Sequence, residues 1–226
     1  MQVTISRKKV FPAEVLELLQ AFHDVGFFEE SMLIGSWVMP LYHEAFGIPY
    51  ALRTLDIDFA VRFAAAARSK KFDLEIVITT LGYVPVTMQS GVRKYSRENF
   101  TVEFVVHRKG GREDEVVAIK KWNITAEPLP FVDILLDFPF TADFGAFRIK
   151  APIPEAYLVQ KLISAQRRQG EKKDKDLEQC AVIAGHVDQT RLKKVVDSLK
   201  LSSKTKTALR ASCVEIDFPP QMVGLR

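Results

Sequence analysis

The chain has 226 residues, of which 47% are hydrophobic, and a formal net charge of +4 at pH 7. This length allows one domain with an appendage or two small domains, and the apolar content is ample for a core. No run approaches the roughly twenty apolar residues that a membrane helix needs, and the two cysteines lack the spacing of a zinc site. These features exclude a membrane-spanning protein and a cysteine-zinc module. We expect a soluble globular protein in the reducing cytoplasm, with no membrane partner.

The charge is unevenly distributed along the chain. Residues 1–150 carry 18 basic and 19 acidic side chains, whereas residues 151–226 carry 14 and 9. A basic C-terminal part suits a polyanionic ligand such as a nucleoside triphosphate or RNA. The excess is small, and a solvated basic surface is the simpler interpretation.

The first predicted elements are a helix, a strand and a second helix. Apolar residues at helical spacing predict a helix over residues 12–26, followed by a strand over 32–34 and a helix over 37–46. Gly35 and Ser36 form the turn between that strand and the second helix. Free backbone N–H groups and a hydroxyl at a helix start are suited to bind phosphate. Alone, the turn is more typical of close packing between helix and strand.

A pair of aspartates follows on the next predicted strand, residues 56–61. Its period of two places Asp56 and Asp58 on one side of the strand and apolar residues on the other. The two Cα atoms are then about 7 Å apart. Like charges at this spacing repel, and hard divalent cations prefer carboxylate oxygens, so the pair predicts a Mg²⁺ site. Arg53, just before the pair, is either a partner of these carboxylates or a phosphate, or a surface arginine.

The middle of the chain contains the other sheet elements. Residues 72–81 have a helical pattern, and Glu103 lies in the middle of a clear strand pattern over 100–107. An unpaired buried carboxylate is strongly disfavoured, so the presence of Glu103 in this strand needs an explanation. Asp133 is a second acid within an apolar run, residues 131–136. Together with Asp56–Val61 these segments predict a mixed sheet of five to seven strands, its other strands at residues 83–88, 91–95, 116–122, 131–136 and 147–150.

The pattern changes from strand-rich to helical at Pro152-Ile153-Pro154. We predict an α/β domain over residues 1–151 and a helical domain over residues 152–226. Lys161 falls on the apolar stripe of the first helix, and Arg168 follows two turns later on the same face. Each cation either snorkels from a packed face or reaches a phosphate across a cleft.

Three further helices are predicted after a turn at residues 169–171. The first of them begins near Lys172, with Leu177, Ala181 and Ala184 facing inward, and the others span residues 190–201 and 204–214. Asp176 lies early in its helix, where a carboxylate stabilises the helix N-terminus.

Several of these segments together resemble the nucleotidyltransferase-fold superfamily, which is related in its site to DNA polymerase beta. More narrowly they are similar to prokaryotic nucleotidyltransferase-like families that include the nucleotidyltransferase toxins of abortive-infection systems. The resemblance covers roughly residues 30–185 and rests on Gly35-Ser36, residues 53–58, residues 151–155, Lys161-Leu162, Arg168 and Lys175-Asp176-Leu177. It implies an α+β fold, with a mixed β-sheet flanked by helices and followed by a C-terminal helical lobe.

The resemblance also implies an activity and a set of site residues. The enzyme would move a nucleoside monophosphate from a nucleoside triphosphate, such as ATP, to a hydroxyl of RNA, protein or a small molecule. Asp56, Asp58 and Glu103 would be catalytic and would hold two Mg²⁺ ions, with Mn²⁺ as the alternative metal. Asp133 is the rival of Glu103 as third carboxylate. The expected nucleotide-binding residues are Gly35, Ser36, Arg53, Lys161 and Arg168.

Asp176, in the matching Lys-Asp-Leu segment, is expected to orient Lys161 or Arg168. An antitoxin-like partner protein is a further expectation of the resemblance. The main alternative is a catalytically inactive protein of the same fold that acts as a partner or a nucleic-acid-binding subunit. A metal-dependent nuclease is a third hypothesis, and the Gly-Ser turn ahead of the acids argues against it.

Overall fold

The computed structural model describes residues 1–6, 10–50, 54–66, 70–108 and 116–225. Within these ranges the helices are α1 Ala13–Asp24, α2 Met39–Phe46, α3 Phe63–Ala66, α4 Leu74–Thr80, α5 Val132–Asp137, α6 Pro154–Ala165, α7 Glu171–Ala184, α8 Gln189–Asp197 and α9 Ser203–Glu215. The strands are β1 Gln2–Thr4, β2 Ser31–Ile34, β3 Asp56–Val61, β4 Val84–Thr87, β5 Arg93–Arg97, β6 Phe100–His107, β7 Val117–Ile119, β8 Ile124–Leu129, β9 Pro139–Asp143 and β10 Arg148–Pro152.

The larger sheet has seven strands over the described residues. Its main order is β2-β3-β6-β5-β4, and β8 pairs with both β6 and β7. β3 and β6 are parallel, whereas β2 pairs with β3 in the antiparallel direction. A smaller mixed sheet has the order β1-β9-β10. Mixed sheets flanked by helices confirm the predicted fold class.

One face of the central strands packs into an aromatic core. The ring centroids of Phe59 on β3 and Phe104 on β6 are 5.9 Å apart, and Phe22 of α1 lies 5.0 Å from Phe59. Because successive side chains of a strand point to opposite faces, burying Phe59 directs Asp58 to the other face. The core therefore fixes the orientation of the carboxylates.

The prediction of a strand at residues 131–136 is wrong, because this segment forms α5. A short run that is apolar except for Asp133 fits a buried helix as well as a buried strand, so its periodicity does not distinguish them. The sequence also failed to predict β8 and β9, which contain Pro128 and Pro139. Proline is tolerated in strands at bulges and strand starts, where its missing N–H costs little.

The C-terminal helices begin where the strands end, with β10 finishing at Pro152 and α6 starting at Pro154. One continuous apolar core includes residues from both sides of this point. The Tyr42 hydroxyl, for example, donates to the Pro152 carbonyl at 2.7 Å, and the Tyr42 and Tyr157 rings are 5.8 Å apart. The division into two domains stays a prediction.

The inward face of α7 differs from the predicted one. Ala181 is exposed and Ala184 half-buried, whereas Leu177, Cys180 and Ile183 are buried. Sequence reasoning gave too much weight to small apolar residues.

Of the helices described, none combines the length and apolar character that crossing a bilayer requires.

Candidate active site

The turn after β2 lies directly against the second aspartate. Gly35 has φ +67°, and a Cβ atom at this position would lie 2.2 Å from Asp58 Oδ2. A side chain is therefore excluded both by the backbone conformation and by the neighbouring carboxylate. The pairing of β2 with β3 sets this approach, because Ile34 is opposite Asp58 in the register. Residues 35–38 form a 3₁₀ turn and α2 begins at Met39, so the predicted helix starts two residues too early.

Three carboxylates lie on neighbouring positions of the central sheet. Asp56 is exposed and Asp58 half-buried on β3, and Glu103 of β6 is the register partner of Asp58. Burial is the main cause that raises the pKa of Asp58. The Glu103 and Asp56 charges also raise it, the Lys161 and Arg168 charges lower it, and the resulting pKa is about 7. The crowding of negative charge at Asp58 favours either a proton or a bound cation.

Glu103 has a cationic partner that sequence reasoning missed. Lys94 Nζ of β5 lies 2.6 Å from Glu103 Oε1. The register of β5 and β6, in which Tyr95 is opposite Val102, brings Lys94 next to Glu103. The side chains of residues 93–97 alternate between the two faces of the strand. Once the pairing of this strand with β6 is known, this alternation places Lys94 next to Glu103.

The oxygen ligands at this face fit a magnesium ion bound together with a substrate. Among the described residues, no group of three or more His, Cys, Asp or Glu side chains is arranged to hold a metal ion. Mg²⁺ is usually bound by one or two carboxylates plus substrate phosphates, not by a closed protein cage. The Asp56–Asp58 pair fits that mode. The raised pKa of Asp58 reflects in part the repulsion from neighbouring carboxylates, and a bound cation would reduce this repulsion.

Two cations of the helical part converge on one buried acid. Lys161 Nζ of α6 lies 2.5 Å from Asp176 Oδ1, and Arg168 Nη1 lies 2.8 Å from Asp176 Oδ2. The Asp176 side chain is 3% exposed. Arg168 follows the end of α6 at Ala165 and does not continue that helix. Asp176 thus holds together the two cations whose charges act on Asp58.

The Ser36 hydroxyl is joined to the helical part by a short chain of hydrogen bonds. Gln179 Nε2 of α7 donates to Ser36 Oγ at 2.9 Å, and the Tyr157 hydroxyl of α6 donates to Gln179 Oε1 at 2.8 Å. Sequence reasoning missed both residues. Gln179 is three positions after Asp176 and therefore on the same face of the helix, a spacing that could have located it.

Asp133 lies away from this cluster. Its Oδ1 is 3.1 Å from His107 Nδ1 at the end of β6. His107 is four residues beyond Glu103, which corresponds to about 13 Å along a strand. The structure therefore brings Glu103, and not Asp133, next to Asp58. Arg53 lies outside the described residues.

The fold and these residues define the class of protein. A nucleotidyltransferase family model matches residues 13–203, and the chain belongs to this family. An antigenic nucleotidyltransferase-like protein from Paracoccidioides brasiliensis has a similar structure, with a TM-score of 0.51 and 14% identity over 94% of this chain and 92% of that chain. At this identity the likeness concerns the fold. Comparison with the curated proteins finds no match. Family and fold together support a nucleotidyltransferase-like enzyme.

Proposed function

We propose that the protein is a Mg²⁺-dependent nucleotidyltransferase that moves a nucleoside monophosphate from a nucleoside triphosphate, such as ATP, to a hydroxyl acceptor. One observation carries this proposal. Asp56, Asp58 and Glu103 lie on adjacent parallel strands, with Gly35 against Asp58 and with the charges of Lys161 and Arg168 acting on that carboxylate. Acids for a metal and cations for phosphates thus meet at one place.

Each residue has a role in this mechanism. Asp56 and Asp58, with Glu103 as a further ligand, would hold two Mg²⁺ ions, or Mn²⁺ in their place. Bound metal would supply neutralisation of phosphate charge and acidification of the acceptor hydroxyl. The Gly35 N–H and the Ser36 hydroxyl would bind the β- and γ-phosphates.

Lys161 and Arg168 would neutralise the leaving group, and Asp176 holds these two cations in place. The acceptor oxygen forms a bond to the α-phosphorus, and the bond from that phosphorus to the oxygen bridging to the β-phosphate breaks. Pyrophosphate leaves, and the hydroxyl proton is released to water.

The test is transfer of label from each of the four α-³²P nucleoside triphosphates, with Mg²⁺ and total cell extract. The products are then divided into RNA, protein and small molecules by nuclease, protease and filtration. We expect labelling that is lost in the Asp56→Ala/Asp58→Ala double variant and retained in Asp137→Ala, whose carboxylate is exposed and paired with Arg62. Labelling that persists in the double variant would contradict the proposal.

The acceptor and the cellular role are part of the proposal. The basic excess of residues 151–226 favours RNA or protein as acceptor over a small alcohol, in the cytoplasm. If the protein acts like abortive-infection toxins, its expression arrests growth and an antitoxin-like partner relieves the arrest. Growth arrest that the Asp56→Ala/Asp58→Ala variant also causes would exclude a catalytic toxin.

A second candidate is a binding protein that has kept the fold without the chemistry. The Lys94–Glu103 ion pair favours it, because a carboxylate whose charge is compensated by an ammonium at 2.6 Å attracts a metal ion less strongly. In this case the protein binds nucleotide or a partner without labelling any fraction of the extract. The same transfer experiment, combined with a nucleotide-binding assay, separates the two functions.

A further inference from the structure

The hydrogen bonds from Tyr157 to Gln179 and from Gln179 to Ser36 have a defined direction. We propose that Tyr157 and Gln179 are positioning residues that hold the Ser36 hydroxyl as a donor toward a phosphate oxygen of the bound nucleotide. This inference rests on the proposed function and concerns the phosphate subsite of the same site. It assigns a role to two residues that do not themselves contact the reacting atoms.

The burial of Tyr157 determines which group donates and which accepts in these two hydrogen bonds. A glutamine amide fits such a position in two orientations, which differ in the end that accepts. The Tyr157 side chain is fully buried, and within the described part of the chain its hydroxyl has one hydrogen-bond partner, Gln179. Burial raises the pKa of Tyr157 well above its ordinary value, so the phenol keeps its proton. Turning the amide would leave this buried hydrogen without an acceptor. The carbonyl oxygen of Gln179 therefore faces Tyr157.

The orientation of the Gln179 amide in turn determines that Ser36 Oγ accepts from it. With its oxygen on Tyr157, Gln179 presents an N–H group to Ser36 Oγ, 2.9 Å away. A serine hydroxyl has one hydrogen, and an oxygen that accepts from an amide keeps that hydrogen for another partner. The Ser36 hydrogen is then available for donation to a further partner, and an anionic phosphate oxygen is the acceptor that suits such a donor at a nucleotide site.

The position of Ser36 makes this donor useful. Ser36 follows Gly35, whose Cα lies against the Asp58 carboxylate. A hydroxyl that presented its lone pairs would repel a triphosphate, whereas a fixed donor attracts it. Because the orientation is set by buried groups before the ligand arrives, little ordering free energy is lost on binding. Ser36, Gln179 and Tyr157 are all buried, so the Gln179 amide has no water with which to exchange these hydrogen bonds.

The test uses inorganic triphosphate with Mg²⁺ as a ligand that contains no base, and calorimetry to measure its affinity. Tyr157→Phe removes the hydroxyl that fixes the amide, and we expect it to weaken binding about fivefold. Tyr42→Phe is the matched control. Tyr42 is also fully buried, and its hydroxyl donates to the Pro152 carbonyl at 2.7 Å. The Tyr42→Phe variant therefore loses a comparable hydrogen bond that is not connected to Gln179 or Ser36. We expect its affinity to be unchanged within about twofold.

A double-mutant cycle shows whether Tyr157 acts through Ser36. Ser36→Ala should weaken triphosphate binding about tenfold, and Tyr157→Phe should then have no further effect. Gln179→Met, which keeps the volume and removes both hydrogen bonds, should behave like Tyr157→Phe and replaces it if that variant does not fold. Thermal denaturation of each variant reports the purely structural cost.

The outcomes separate this inference from the proposed function. Equal effects of Tyr157→Phe in the wild-type and Ser36→Ala proteins, or an effect no larger than that of Tyr42→Phe, overturn the inference alone. Unchanged affinity in Ser36→Ala also overturns it, because the hydroxyl would then not contact the ligand. A wild-type protein that binds neither triphosphate nor any nucleoside triphosphate with Mg²⁺ overturns both.

Discussion

Asp58 and Asp176 are both aspartates at the same site, and their surroundings are opposite. Asp176, on α7, forms ion pairs with Lys161 at 2.5 Å and with Arg168 at 2.8 Å. Asp58, on β3, has Glu103 as its register partner, and its pKa is raised to about 7. The carboxylate of the helical half is therefore paired with two cations, which leaves one positive charge, whereas Asp58 in the sheet half faces other carboxylates. A carboxylate that is kept at a cost in stability indicates a function that needs its charge.

Removing the charge of Asp58 should give the largest effect and should split activity from stability. We expect Asp58→Asn to reduce transfer on the order of a thousandfold, because metal neutralisation contributes several kcal/mol to such reactions. The same change should stabilise the fold at pH 8, since it removes a half-buried charge next to Glu103. Label transfer and urea denaturation measure the two effects. Loss of stability at pH 8 would show that the Asp58 charge supports the fold.

Asp176 should behave in the opposite way. Asp176→Asn leaves Lys161, whose side chain is 11% exposed, without its partner. Breaking a buried pair from one side costs about 3–5 kcal/mol, so unfolding should occur at much lower urea concentration. Asp197→Asn is the control, because its pair with Lys193 is exposed at 60% and 73% and should contribute under about 1 kcal/mol. Equal losses in the two variants would remove the contrast between buried and exposed pairs.

The pH dependence of stability should report Asp58 directly. Its folded-state pKa of about 7 exceeds the ordinary value of 3.8, so between these values the folded state holds the proton more tightly than the unfolded state does. This contribution is fully present below pH 3.8 and is lost as pH rises through about 7. We expect a decline on the order of 2 kcal/mol between pH 4 and pH 8. Subtracting the Asp58→Asn profile isolates it, and identical profiles would contradict it.

The smallest expected change is at Lys94. Lys94→Gln removes the partner of Glu103 and frees that carboxylate for a metal. We expect Mg²⁺ to reach half-saturation at a concentration about threefold lower, corresponding to less than 1 kcal/mol. Titration of Mg²⁺ in the presence of triphosphate measures the change. Weaker Mg²⁺ binding in this variant would indicate that Lys94 itself contacts the ligand.

The sheet half of the site was more predictable than the helical half. Asp56, Asp58 and Glu103 each lie in a segment with a strong strand pattern, and a period of two is enough to place Asp56 and Asp58 on one side of their strand. Glu103 was expected as the third carboxylate from the family resemblance. Strand pairing was not contained in this local signal. Lys94 was missed because its relation to Glu103 depends on how β5 and β6 pair in register.

The helical half depends on contacts between distant segments. Gln179 reaches Ser36 across 143 positions of sequence, and neither residue carries a local sign of the other. Helix α5 was misassigned because Val132-Asp133-Ile134-Leu135-Leu136 is apolar around Asp133, and tertiary packing decided its conformation. Sequence patterns and the family resemblance therefore gave most elements, the sheet carboxylates and the grouping of Lys161, Arg168 and Asp176. Long-range packing determined the rest.

The central claim is that the Asp58 carboxylate binds a cation together with a phosphate ligand. Calorimetric titration of the protein with inorganic triphosphate, with and without Mg²⁺, tests this claim most directly. We predict binding that requires Mg²⁺, is stronger at pH 8 than at pH 6 because Asp58 must lose its proton, and disappears in Asp58→Asn. Mg²⁺-independent binding that is equal in the wild-type protein and Asp58→Asn would contradict the account.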